Sequence, residues 1–99
     1  MNPMQQMLAE ANRISRELTK ARAELATKEF VATKAGLLTV TMLGNRTVKS
    51  IQFEKDVLTE DNQELISDAL ALAINDCLAQ IEKANGDINE RITGRREGM

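Results

Sequence analysis

Arg13, Arg16 and Lys20 follow one another at steps of three and four, the spacing that brings side chains to one side of an α-helix. A basic stripe of this kind can bind phosphates, or it can be a solvated face whose charges support the helix through local pairs. Arg22, Arg91, Arg95 and Arg96 add to the cationic inventory. A second group, the carboxylates Asp56, Glu60, Asp61, Glu64 and Asp68, could pair for acid–base work or hold a divalent cation. Their spacing reads better as a capped helix start with a wet face. The chain has no histidine and one cysteine, Cys77, which removes a disulfide framework, a Cys/His zinc site and a Cys–His nucleophile pair together. It also lacks a phosphate-cradling glycine loop and a GxSxG elbow. The expectation is a protein that is not an enzyme, with no catalytic residue, metal site, cofactor or small-molecule substrate.

Charge is unevenly spread along the 99 residues. Residues 1 to 50 carry eight Lys/Arg against four acids, a net of +4, and residues 51 to 99 carry five against eleven, a net of −6. A basic first segment and a basic tail, with Arg91, Arg95 and Arg96 against Glu97, bracket an acidic middle whose field would repel a polyanion lying near it. The longest purely apolar run, Ala69 to Ile74, is far short of a membrane span, and the N-terminus has no signal-peptide pattern. A cytoplasmic protein is expected.

The elements that must position these side chains are few, because 99 residues suit one domain, 1–99. Met4, Met7, Ala11, Ile14, Leu18, Ala21 and Leu25 alternate steps of three and four, the heptad rule of a coiled-coil seam, with Leu8 widening the stripe. Asn2 as N-cap, Pro3 at the first helical position and Gln5 as capping-box partner start a long helix within residues 1–27. Such a helix is roughly 35 to 40 Å long, whereas a compact domain of this size has a radius of gyration near 13 Å, so part of it must project. Its seam then needs a partner, for which a second copy of the chain serves.

Between residues 30 and 54 the period changes to alternation. Leu38, Val40 and Met42 share one face; Ile51 and Phe53 share a face with which Val48 is out of phase, predicting a bulge near Lys49-Ser50. Gly44-Asn45 is expected to supply the positive φ of a tight hairpin. Residues 59–92 read as helical, with Thr59 as N-cap, Glu60 and Asp61 in the first turn, and an apolar stripe too wide for one contact. Cys77 sits in that stripe as a small core residue. Asn85-Gly86 is expected to end or bend the helix, and 93–99 to form a tail.

Four strings in order, "MNPMQQM", "GLLTVTMLGNRTVKSIQF", "AINDCLAQIEK" and "ITG", make the chain resemble the YbaB/EbfC family of bacterial nucleoid-associated proteins over nearly its whole length. Where that family commonly has a run of glycines before the hairpin, this chain has "KAGLL". The resemblance implies an α+β fold, an α-β-β-β-α protomer whose three-stranded antiparallel sheet lies between long N- and C-terminal helices. It also implies a tweezer-like homodimer formed through the sheet and second helix, with Leu38, Val40, Ile66, Leu70, Ala73, Ile74 and Cys77 as candidate contacts. The function it implies is low-specificity binding of double-stranded DNA on the nucleoid, serving gene expression, nucleoid organisation or DNA repair. Arg13, Arg16, Lys20, Arg22, Arg91, Arg95 and Arg96 are the candidate phosphate contacts. The alternative is a dimeric module that binds a protein partner through the apolar seam.

Overall fold

Asn2 opens the first helix as expected: its side-chain Oδ1 accepts from the Gln5 backbone N–H at 2.8 Å, and the Gln5 side chain reaches back to the Asn2 N–H, a complete capping box with Pro3 at the first helical position. In the computed structural model, which describes residues 2–94, this helix, α1, spans Pro3–Ala26. It is followed by β1 (Glu29–Lys34), β2 (Leu38–Leu43), β3 (Val48–Phe53), a single 3₁₀ turn (Glu60–Asn62) and α2 (Gln63–Thr93). The three strands form one antiparallel sheet in the order β1-β2-β3.

Alternation builds the core. Phe30 and Ala32 on β1 and Leu38, Val40 and Met42 on β2 turn to one face, and every fourth residue of α2, Ala69, Ala73, Cys77 and Ile81, lies against them. Each large apolar side chain buried here contributes about 1.5–3 kcal/mol. The opposite face is polar, with Thr33 and Thr39 hydroxyls bonded across the strands at 2.9 Å. On one flank α2 is tied to β1: the Gln80 side-chain amide donates to the Val31 carbonyl at 3.0 Å, and Lys34 Nζ lies 2.9 Å from Asp76 Oδ2. Lys34's hydrogen bond, with help from Gln80, holds the Asp76 carboxyl below its ordinary range.

Pairing of β2 with β3 slips between Thr41 and Met42, leaving Lys49 as the extra residue of a bulge where the phase of Val48 predicts one. Val48, Ile51 and Phe53 pair with Met42, Val40 and Leu38, so they lie on the core side of the sheet. Yet α2 covers β1 and β2 and stops short of β3, and the three remain 38–40% exposed.

The two tight turns divide the left-handed backbone differently from the expectation. Ala35 and Gly36, at φ of 55° and 63°, make the β1–β2 turn, closed by Leu37 N–H donating to the Lys34 carbonyl at 2.9 Å. In the β2–β3 turn neither Gly44 nor Asn45 has a positive φ; Arg46 does, at 69°. Leu43 to Arg46 form a turn closed by Arg46 N–H to Leu43 O at 2.8 Å, and the left-handed residue follows it, the three-residue hairpin form. Gly44 is needed for another reason: a Cβ there would come 1.8 Å from the Leu25 carbonyl oxygen, because the end of α1 lies directly on the turn.

Thr59 precedes the 3₁₀ turn without a side-chain cap bond, and α2 proper begins at Gln63. Asn85-Gly86 does not end α2. The helix runs on to Thr93 and is closed by Gly94 at φ 78°, whose N–H donates to the Glu90 carbonyl at 2.9 Å. A helical glycine costs about 1 kcal/mol relative to alanine. Gly86 is buried in the stretch where α2 lies along α1, so packing offsets that cost.

The two helices run antiparallel there, with Ala21 and Leu25 of α1 facing Ala84 and Ile88 of α2, and Glu17 and Lys20 reaching the level of Arg91 and Ile92. Beyond that level α1 continues alone. The described chain measures 70 × 23 × 14 Å with a radius of gyration of 19.2 Å, against about 13 Å for a compact domain of this length. The projecting arm is real, and Met4 and Met7 on it are each 72% exposed.

Candidate nucleic-acid interface

The arm presents its basic stripe to solvent, but its members are not equivalent. Arg13 is spent locally: its Nη1 donates to Glu17 Oε1 at 2.9 Å, and its Nε and Nη2 both donate to the Glu10 carboxylate. Glu10's side-chain hydrogen bond, joined by that of Glu17, raises the guanidinium's pKa, and the bond from Arg13 lowers that of Glu10. The trio carries a net single negative charge. Arg16 and Lys20 are exposed and enter no ion pair among the described residues. They are the arm's uncompensated cations.

Arg22 has a structural partner: its Nη2 donates to Asn89 Oδ1 at 2.9 Å, fastening α1 to α2 across 67 residues of sequence. Asn89 is buried, so this bond satisfies a polar side chain that would otherwise be expensive to enclose. Arg91 lies beside a shallow groove of about 340 Å³ between the helices, whose rim also carries Glu24, Lys28 and Asp87. Arg95 and Arg96 fall outside the described residues. The structure thus brings Lys20, Arg22 and Arg91 to the α1–α2 side of the molecule, while Arg16 stands exposed on α1; Arg16 and Lys20 are the cations of that helix's stripe without an ion pair among the described residues.

The acidic residues that follow β3 are kept away from them, whereas Asp87 of α2 lies beside Lys28 and Arg91. Asp56, Glu60, Asp61, Glu64 and Asp68 cluster beyond the C-terminal end of β3, and α1 docks at the other end, on the β2–β3 turn. A six-residue strand, about 20 Å, separates the two. Among the described residues no group of three or more His, Cys, Asp or Glu could hold a metal ion. No helix of the described residues is long and apolar enough to cross a membrane.

Of the apolar contact candidates, Leu38, Val40, Ala73 and Cys77 have zero exposure inside the protomer's own core and offer a partner no surface. The Cys77 thiol shares its proton between the Phe30 and Val40 carbonyls at 3.6 and 3.7 Å, and burial, then the Asp76 charge, pushes its pKa up. Ile66, Leu70 and Ile74 are half-buried on the flank of α2 opposite Asp76 and Gln80. Outside the candidate set, Val48, Ile51 and Phe53 of β3 are also uncovered, as is Leu58 beside Ile66 and Leu70, while Leu65 and Leu72 are exposed on the Asp76 side of α2. The signal for the first three was available: β3 is an edge strand whose apolar residues share the core phase.

A long helix, a three-stranded antiparallel meander and a second long helix, with exposed cations on a projecting first helix, define a class of small helix-armed α+β proteins. Comparison with known families matches residues 1–96 to the YbaB/EbfC DNA-binding family, and the chain belongs to that family. It is 38% identical over 85 residues to a nucleoid-associated protein of Streptococcus uberis, covering 85% of this chain and 86% of the relative. It is 33% identical over 84 residues to one of Enterococcus faecalis, covering 84% and 81%. With a nucleoid-associated protein of Streptococcus agalactiae it shares 30% over 96 residues, covering 96% and 97%.

Proposed function

We propose that the chain is a nucleoid-associated protein that binds double-stranded DNA as a homodimer, with Arg16 and Lys20 of each arm on the phosphate backbone. The observation that carries this reading is the pair of uncompensated cations on a projecting helix, in a member of a DNA-binding family. Arg91, Arg95 and Arg96 add charge to the same role; Arg13 and Arg22 add less, since each already serves a bond within the protomer. Phosphate contacts position a protein without reading sequence, so low specificity and steep salt dependence follow. Dimerisation is supported by the uncovered strip of Val48, Ile51 and Phe53, which continues the core face of the sheet and adjoins the Ile66–Ile74 flank. Two such strips related by a twofold axis would close one core over the other and present both arms together.

A titration of purified protein into labelled duplex at low and physiological salt tests the reading, with the Arg16→Glu/Lys20→Glu variant alongside. Binding should weaken steeply with salt and be lost in the variant. No binding by the native protein at either salt would refute it. The exposed Met4, Met7 and Leu8 favour a second reading, a seam for a protein partner, whose binding would be insensitive to salt.

A further inference from the structure

The β2–β3 turn carries features that the arm alone does not use. In a three-residue hairpin of this form the left-handed position is ordinarily glycine or asparagine, because a Cβ there crowds the following carbonyl oxygen. This turn has its glycine at 44, where the Leu25 carbonyl demands it, and an arginine, Arg46, at the strained position with φ of 69°. Strain of this kind persists where the surrounding structure over-determines it, and it concentrates at functional positions.

The surroundings do over-determine it. Gly44 N–H donates to the Lys28 carbonyl at 2.9 Å, Asn45 N–H donates to the Ala26 carbonyl at 3.2 Å, and Thr47 N–H donates to the Asn45 side chain at 3.0 Å. The tip is therefore clamped onto the end of α1, the helix that carries Arg16 and Lys20. Lys28 lies on the same junction, and the six helical steps from Lys20 to Ala26 rise about 9 Å. Lys28 and Arg46 are both exposed and enter no ion pair among the described residues, whereas the nearby Lys49 is bonded to Glu29; Glu24 and Asp87 line the groove beside Lys28. The strongly acidic segment lies at the opposite end of the sheet.

We propose that the hairpin tip is a second phosphate-binding point, in which Arg46 and Lys28 grip the backbone of the same duplex that Arg16 and Lys20 hold along the arm. This rests on the DNA-binding reading above and adds a rigid contact from the protomer body to those of the arm. A duplex carries one phosphate charge per about 1.7 Å of axis, so acceptors are present wherever the tip meets it.

Fluorescence anisotropy of a labelled duplex over a series of salt concentrations tests the tip, using the native protein, Arg46→Gly, Arg46→Asn, Arg46→Lys, Lys28→Gln and, as a control from the far end of β3, Lys55→Gln. Arg46→Gly, Arg46→Asn and Lys28→Gln should each weaken binding and lower the slope of log affinity against log salt by about one per engaged tip. Arg46→Lys and Lys55→Gln should retain the native slope. Thermal melting of Arg46→Gly should occur at or above the native temperature, since glycine relieves the left-handed strain, so its loss of binding is not loss of fold. Native slopes in Arg46→Gly and Lys28→Gln, with native binding intact, overturn the tip and leave the arm standing. An equal loss in Lys55→Gln reduces the effect to net charge and likewise overturns it. Absence of binding by the native protein removes the DNA reading and the tip with it.

Discussion

Gly44 shows how much one residue can be asked to do by a neighbour distant in sequence. With the Leu25 carbonyl 1.8 Å from where its Cβ would stand, Gly44→Ala cannot be accommodated without separating α1 from the hairpin. Urea unfolding should show a loss of about 2 kcal/mol or more, the range of overpacking at a site that cannot yield; an unchanged midpoint would mean the junction is looser than drawn. The sequence presents Gly44-Asn45 as a turn signal, which it is, but gives the wrong reason, since the clash that requires glycine comes from another element. Arg13 is the opposite case. Its pairing with Glu10 and Glu17 is written in the i−3 and i+4 spacing and could have been taken from the sequence to remove it from the free cations. The bond from Arg22 to Asn89 could not, because nothing local connects residues 67 apart.

At the scale of elements, what was local was legible. The capping box, the heptad of α1, the bulge at Lys49 and the alternation of β2 depend on neighbours within a few residues and stand where the pattern puts them. The path of α2 through Gly86 was not legible, because a glycine's effect on a helix depends on whether another helix lies against it. The assignment of apolar residues to a partner or to the protomer's own core failed for the same reason: apolarity says that Leu38 and Ala73 are covered, and not by what. The arm makes this separation of local from tertiary support testable. Asn2→Ala removes the cap of a helix end that packs on no other element among the described residues, a change of about 1 kcal/mol. Circular dichroism should record a loss of helix and hydrogen exchange should speed up in the first turns, with the global melting temperature unmoved. A lowered melting temperature would show the arm tip to be packed on something.

The molecule as a whole is a thin body, 14 Å in its least dimension, with too much apolar surface for its own core to hide. Leu58, Leu65 and Leu72 are all more than half exposed, in addition to the β3 strip. Sedimentation should give twice the 11.0 kDa of one chain, and Ile51→Asp/Phe53→Asp should return the single-chain mass, with the arms still helical. A native protein that sediments as a single chain would exclude the twofold arrangement. A double variant that stays dimeric would move the contact to the α1 seam. Charge at this scale was only partly legible from the chain: the carboxylates from Asp56 to Asp68 gather at the end of the sheet away from α1, but Asp87, of the same acidic half, lies against the basic first helix because α2 runs back along it.

The capped helix end, free of tertiary support, bears on how such a protein changes over generations. Exposed positions away from packing tolerate substitution within about 0.5 kcal/mol, so the outer turns of α1 can gain, lose or trade side chains while the sheet and α2 go on folding as before. Selection can therefore retune grip at the tip of the arm one residue at a time, with little penalty in the yield of folded protein. The junction of Leu25 with Gly44 has no such latitude, since a side chain at Gly44 would separate α1 from the hairpin.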